Sequence, residues 1–152
     1  MSTVRDILDR KDAQVACVEK EATVLAAAEK MNDRRIGALV VMEKDRVVGI
    51  FSERDILTRV VATGKDPHKL LVGEVMTAPV AFCRPDTTIE ECWSVMTGRR
   101  IRHLPVVHDA KLIGIVTSGD LMAHEVRTHK RKIDDQAETI QFLNQYITGE
   151  YS

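Results

Sequence analysis

Apolar and polar positions along this chain fall into short blocks, and the blocks come twice. Apolar runs at residues 15–18 and 80–83 have the length and polar borders of buried strands. Each is followed by a helical pattern at three- and four-residue spacing. Val24, Ala27, Ala28 and Met31 form the first, and Ile89, Cys92, Trp93 and Met96 the second. The stretches "EKEAT" and "PDTTIEE" open these helices: Thr87 or Thr88 can cap the free amides, and acidic side chains suit the first turn. Two β-rich runs come next, 39–42 with 47–51 and 104–107 with 112–116. The polar turns "EKDR" and "HDAK" make each pair a hairpin. "SERDIL" and "TSGDLM" then start a second helix. The predicted order is β-α-β-β-α, twice, with "VATGKDPHKLL" supplying a linker over residues 63–71.

The doubling extends to residue identity. Shifted by 65 residues, positions 15–57 match their counterparts without a gap at twelve of 43 places, so the chain is an internal duplication. Beyond the second copy the pattern changes. Val126, Ile133, Ile140 and Ile147 recur every seven residues, with Ala137 and Leu143 on the same face. That stripe predicts a long helix over 126–148 that packs on its own repeats or on a second copy of the chain. "HKRK" within it reads as a solvated face.

Most repeated residues are apolar and need only packing, but Asp55 and Asp120 do not fit that account. Each lies six residues after a glycine (Gly49, Gly114) and three after a hydroxyl residue (Ser52, Thr117), at a strand-to-helix corner. Capping of the helix start is one role open to them. Accepting both hydroxyls of a ribose, beside a helix start that meets phosphate, is another, and the two are compatible. The copies also differ where packing alone would not require it: Gly37 and Ala38 stand opposite Arg102 and His103. Small residues in one copy allow close backbone approach; the other copy offers two cationic or hydrogen-bonding heads. If Arg102 and His103 alternate across a strand, only one of them faces a ligand. Arginine–phosphate bonds contribute roughly 1.5–3 kcal/mol each. Arg99 and Arg100 match Arg34 and Arg35 and read as helix-end features.

The chain has 152 residues, a formal net charge of −1 and 4% aromatics, which fits one domain of two lobes and argues against nucleic-acid binding. No apolar run approaches the roughly 20 residues of a membrane span. The first residues are charged and lack a secretory core. Cys17, Cys83 and Cys92 are odd in number, irregularly spaced and fall at core positions. With no Cys-x-x-Cys, no metal-ligand spacing and no nucleophile elbow, they read as reduced thiols in a cytoplasmic protein that is neither a metalloprotein nor an enzyme.

"GIFSERDI" and "GIVTSGDL", with "RRIRHLPVV" and the openings "ILDRK" and "VMTAPV", resemble the cystathionine-β-synthase (CBS) domain in its tandem form, over residues 4–124. The resemblance implies an α/β fold of two β-α-β-β-α CBS repeats, 4–62 and 72–125, packed about a pseudo-twofold axis and followed by the C-terminal helix. It implies two clefts. One would use Asp55, Ser52 and Arg54 with Met76, Val80, Ile101, Arg102 and His103. The other would use Asp120 and Thr117 with Gln14, Val15, Gly37 and Ala38, and there Gly119 replaces Arg54. The implied ligand is AMP, ADP, ATP, NAD(H) or S-adenosylmethionine, with no catalytic cofactor. The first cleft, which has the Arg-His pair, is expected to prefer the more phosphorylated or more tightly held nucleotide. The implied role is a homodimeric sensor regulating a partner protein of unknown identity or its own assembly. A redox-linked regulator of a thioredoxin-like or other enzyme partner, or a nucleotide-processing enzyme, is the alternative.

Overall fold

The structure, a computed structural model, describes residues 1–11 and 14–148, with side chains described through Ala137. Each half is centred on an antiparallel hairpin. Strands β2 (Ala38–Glu43) and β3 (Arg46–Ser52) form the first, and β4 (His103–His108) and β5 (Lys111–Thr117) the second, as the paired β-rich runs and their polar turns predict. Both shift register at the same repeat position, between Val41 and Met42 and between Val106 and Val107. Strand β1 (Cys17–Glu19) lies parallel to β2 and begins two residues later than expected.

The strand expected at 80–83 is absent, and only a bridge joins Cys83 to Val106. Pro105 explains the difference. In the first half the Val40 N–H donates to the Ala16 carbonyl at 3.1 Å. Pro105 holds the matching position and has no N–H to give. What survives is the pair from Cys83 N–H to the Pro105 carbonyl and from Val107 N–H to the Cys83 carbonyl, each 2.9 Å.

Helices α2 (Val24–Arg34) and α5 (Ile89–Arg99) start at Thr23 and Thr88, whose hydroxyls accept from the Ala26 and Glu91 amides at 3.1 Å each. The Thr88 amide in turn donates to Glu91 Oε2, completing a capping box. Thr87 instead accepts from the Arg84 N–H at 2.8 Å. Both helices end in a left-handed arginine, Arg35 (φ 53°) and Arg100 (φ 54°), so the repeated arginines are indeed helix-end residues.

Two short helices tie the halves together by exchange. Helix α1 (Val4–Leu8) puts Val4 and Ile7 into the second core, among Cys83, Ile89, Leu104 and Val116. Helix α4 (Val72–Val75) puts Val72 and Val75 into the first core, among Val24, Leu39 and Phe51. Backbone bonds anchor both: Val4 N–H to Thr87 O at 2.9 Å, and Val72 N–H to Ala22 O at 2.8 Å. The repeated glycines are their seats. A Cβ at Gly49 would lie 2.4 Å from the Met76 sulfur, and one at Gly114 would lie 2.7 Å from the Leu8 side chain. The linker folds back on α2, where the Leu25 and Val24 amides donate to the Pro67 and Leu70 carbonyls.

After the hairpins the halves diverge. The first continues through α3 (Glu53–Asp55) into a π-helical segment, Ile56–Val61. The second runs into α6 (Ser118–Thr148), one unbroken helix of 31 residues rather than two elements meeting near 126. No glycine or proline between 120 and 148 interrupts it. Val126 and Ile133 on its stripe are 66% and 51% exposed. Ile140, Leu143 and Ile147 lie outside the residues whose side chains are described.

Leu39 and Leu104 hold matching positions in the two cores, 0% and 1% exposed. Leu39→Ala and Leu104→Ala should each lower stability by about 2–5 kcal/mol. Urea unfolding checks this, and because the cores share exchanged helices both variants should still unfold in one transition.

Candidate functional site

Strand β3 delivers Ser52 in an extended conformation at the start of α3, and this geometry forces Ser52 and Asp55 together. The Asp55 amide donates to Ser52 Oγ at 3.4 Å, and the Ser52 amide donates to Asp55 Oδ2 at 2.9 Å. Capping thus engages one carboxylate oxygen. The other, Oδ1, accepts from Thr77 Oγ1 at 2.9 Å and lies 3.7 Å from Arg59 Nε. Asp55 is 4% exposed and is the one buried charged residue among the described residues.

A cavity of about 960 Å³ opens on this corner. Ser52, Arg54 and Asp55 line it from the first repeat, and Val80, Ile101, Arg102 and His103 from the second. Met76 does not. Its side chain packs on the first core and over Gly49, while its carbonyl accepts from Arg59 at 2.9 Å. Arg102 and His103 both face the cavity, because Arg102 precedes β4 and the alternation of a strand does not apply to it. Arg59, Arg99, Arg100, Glu53 and Thr77 line it as well. Sequence reasoning assigned Arg99 and Arg100 only to the helix end, and the left-handed turn at Arg100 is what brings that end to the cavity rim. Arg59 and Thr77 carried no repeat signal, because both lie outside the matched positions 15–57 and 80–122: by the 65-residue shift the counterpart of Arg59 is His124 and that of Thr77 is Asp12.

The cavity's electrostatics are lopsided. Five guanidinium groups (Arg54, Arg59, Arg99, Arg100, Arg102) face two carboxylates, Glu53 and Asp55. Arg59 is committed to the carbonyls of Val75 and Met76. Among the described residues no hydrogen bond or ion pair engages the other four guanidinium groups. His103 is different: burial, then the positive charges of Lys11 and Arg102, hold its imidazole below the ordinary value, against Glu53 and Asp120. At neutral pH it is an uncharged hydrogen-bonding head.

The second corner repeats the first in its capping. The Thr117 amide donates to Asp120 Oδ2 at 2.9 Å and the Asp120 amide to Thr117 Oγ1 at 3.1 Å. Its other neighbour is Lys11, whose Nζ donates to Asp120 Oδ2 at 2.7 Å and to the Ile115 carbonyl at 2.8 Å. Gln14 is exposed and Val15 half-buried, both ahead of β1. Gly37 and Ala38 contact their own repeat's corner: the Gly37 carbonyl accepts from the Glu53 amide at 3.0 Å, and Ala38 pairs with Ser52. A lone lysine gave no sign in the sequence of where it would reach.

The thiols sit apart from both corners. Cys83 and Cys92 are buried in the second core, where the hydrogen bond that Cys83 donates to Cys92 and then burial push the Cys83 thiol up. Among the described residues no group of three or more His, Cys, Asp or Glu could hold a metal ion. No helix among them is long and apolar enough to cross a membrane.

The sequence profile of the CBS domain matches residues 3–62 and 72–127. Hypoxic response protein 1 of Mycobacterium tuberculosis is 35% identical over 125 residues, which cover 82% of this chain and 85% of that protein. The mitochondrial CBS domain-containing protein CBSX3 of Arabidopsis thaliana is 32% identical over 159 residues, covering 99% of this chain and 74% of that protein. Among solved structures, a putative signal-transduction protein with CBS domains from Burkholderia ambifaria is 36% identical with a TM-score of 0.81, covering 83% of this chain and 95% of the other.

The depressed imidazole of His103 has a stability consequence. Unfolding returns it to an ordinary value of about 6.5, so the unfolded chain gains the proton first as pH falls. The contribution is fully present above that value and is lost as pH drops toward the lowered folded value. Thermal melts from pH 7.5 to 5.5 should show a smaller fall in Tm for His103→Gln than for the parent protein; parallel slopes would refute it.

Proposed function

The chain belongs to the CBS domain family, and on that premise we propose that it is a non-catalytic sensor of adenine nucleotides. The observation that carries this reading is the set of four unengaged guanidinium groups around a cleft with a buried carboxylate corner. Val80 and Ile101 offer apolar faces for adenine. Asp55 Oδ1 exchanges its bond from Thr77 for the hydroxyls of a ribose while Oδ2 keeps its capping role. Arg54 and Arg102 take the phosphates, with Arg99 and Arg100 close enough in the same cavity to favour ATP or ADP over AMP. The volume is within the usual range for small-ligand sites.

Both repeats line the cleft, so a bound nucleotide joins the halves. Ligand at 100 times its dissociation constant stabilises the binding form by roughly 2.7 kcal/mol, enough to shift a modest two-state balance. The output passes to a partner protein or to the chain's own assembly, and the exposed stripe of α6 supports a homodimer contact. The redox reading gains nothing from the pair Cys83 and Cys92, whose thiols are buried.

Calorimetry tests the ligand assignment. Asp55→Asn should weaken both AMP and ATP about tenfold or more, as loss of a charge-assisted bond predicts. Arg102→Ala should weaken ATP by a similar factor and leave adenosine unchanged; equal losses for both ligands would remove Arg102 from the phosphate site. Removing residues 133–152 should convert dimer to monomer in sedimentation velocity, and a mass equal to two truncated chains would exclude the α6 contact.

A further inference from the structure

The two corners are built alike, yet different atoms from the opposite repeat meet them. At the first, Thr77 supplies two donors: its amide to the Ile50 carbonyl at 2.8 Å and its hydroxyl to Asp55 Oδ1 at 2.9 Å. Ile115 and Asp120 are the repeat counterparts of Ile50 and Asp55. At the second corner the single ammonium of Lys11 reaches the same two groups, 2.8 Å to the Ile115 carbonyl and 2.7 Å to the Asp120 carboxylate, where it shares the capping oxygen Oδ2 with the Thr117 amide. Thr77 and Lys11 each follow an exchanged helix, α4 and α1, so the same architecture delivers both.

The substitution changes what the corner can accept. Thr77 stays at the sheet edge through its backbone, with Ile50 and Thr77 exchanging both amide bonds, and its hydroxyl is a neutral donor. Lys11 reaches in with a four-carbon side chain and a full charge. Its bond to Asp120 is charge-assisted, about twice as strong as a neutral one. The pair is about three-quarters buried, with side chains 30% and 23% exposed. A ribose diol that took this carboxylate would have to share it with the ammonium, or displace it and exchange a charge-assisted bond for neutral ones, leaving Lys11 with the Ile115 carbonyl alone. Gly119, in the place of Arg54, offers no phosphate contact in return.

Resting on the nucleotide reading, we propose that Lys11 is the specificity-determining residue that restricts the chain to one nucleotide, by filling the ribose corner of the second cleft. The first cleft is the working site and the second is closed by the protein's own cation.

Equilibrium dialysis with AMP tests this. The parent protein should bind one AMP per chain, a site weakened by Asp55→Asn. Lys11→Met should bind two, keeping the first at unchanged affinity, which also shows that the variant is folded. One AMP per chain on folded Lys11→Met, or two on the parent protein, would overturn the assignment. Should Lys11→Met not fold, amine acetylation of the parent protein read by mass spectrometry decides: Lys11 should stay protected relative to Lys44 with and without saturating AMP, and exposure on AMP binding would overturn it. Absence of AMP binding to either protein would defeat the nucleotide reading itself, and this inference with it.

Discussion

Exchange of α1 and α4 between the two cores is the constraint on which the rest of the structure depends. Each core is completed by two valine or isoleucine side chains that arrive from the other repeat. Pulling the halves apart would strip both cores at once, exposing apolar surface at roughly 25 cal/mol per Å². The repeats therefore form a single cooperative unit, although the duplication makes them look separable. The same crossing carries chain segments past the opposite repeat's carboxylate, which is why Asp55 meets Thr77 and Asp120 meets Lys11.

Function then turns on departures from symmetry. The two carboxylate corners share their capping bonds to within a few tenths of an ångström. What distinguishes them is the company: around one, four guanidinium groups that nothing among the described residues engages; at the other, an ammonium held fast. A duplication supplies two potential sites for the cost of one fold. Small substitutions at the rims then give them different fates without disturbing either core.

Local chemistry in this chain was legible from the sequence. The hairpins, the threonine caps at Thr23 and Thr88, and the aspartates at the strand-to-helix corners all follow from residues within a few positions of one another. The missed features depend on atoms far apart in the chain. Pro105 reads as an acceptable strand residue until its partner Ala81 is considered, and then its missing N–H removes a strand at 80–83. Met76 lies next to the cleft in sequence terms, but Gly49 leaves a hollow that takes its side chain away from it. Nothing near Lys11 in the sequence discloses a carboxylate 109 residues later. Asp55 and Asp120 had two compatible roles on paper, and the structure shows the capping role in both.

The unbroken α6 has a mechanical consequence. At about 1.5 Å per residue its 31 residues extend roughly 46 Å from the second corner. A tilt of about 5° at its base would sweep the far end by roughly 4 Å, by the same rise per residue. The salt bridge from Lys11 bolts its base at the Thr117–Asp120 turn, and Trp93 holds it again at Glu125. Motion too slight to register within either core would be magnified at the tip.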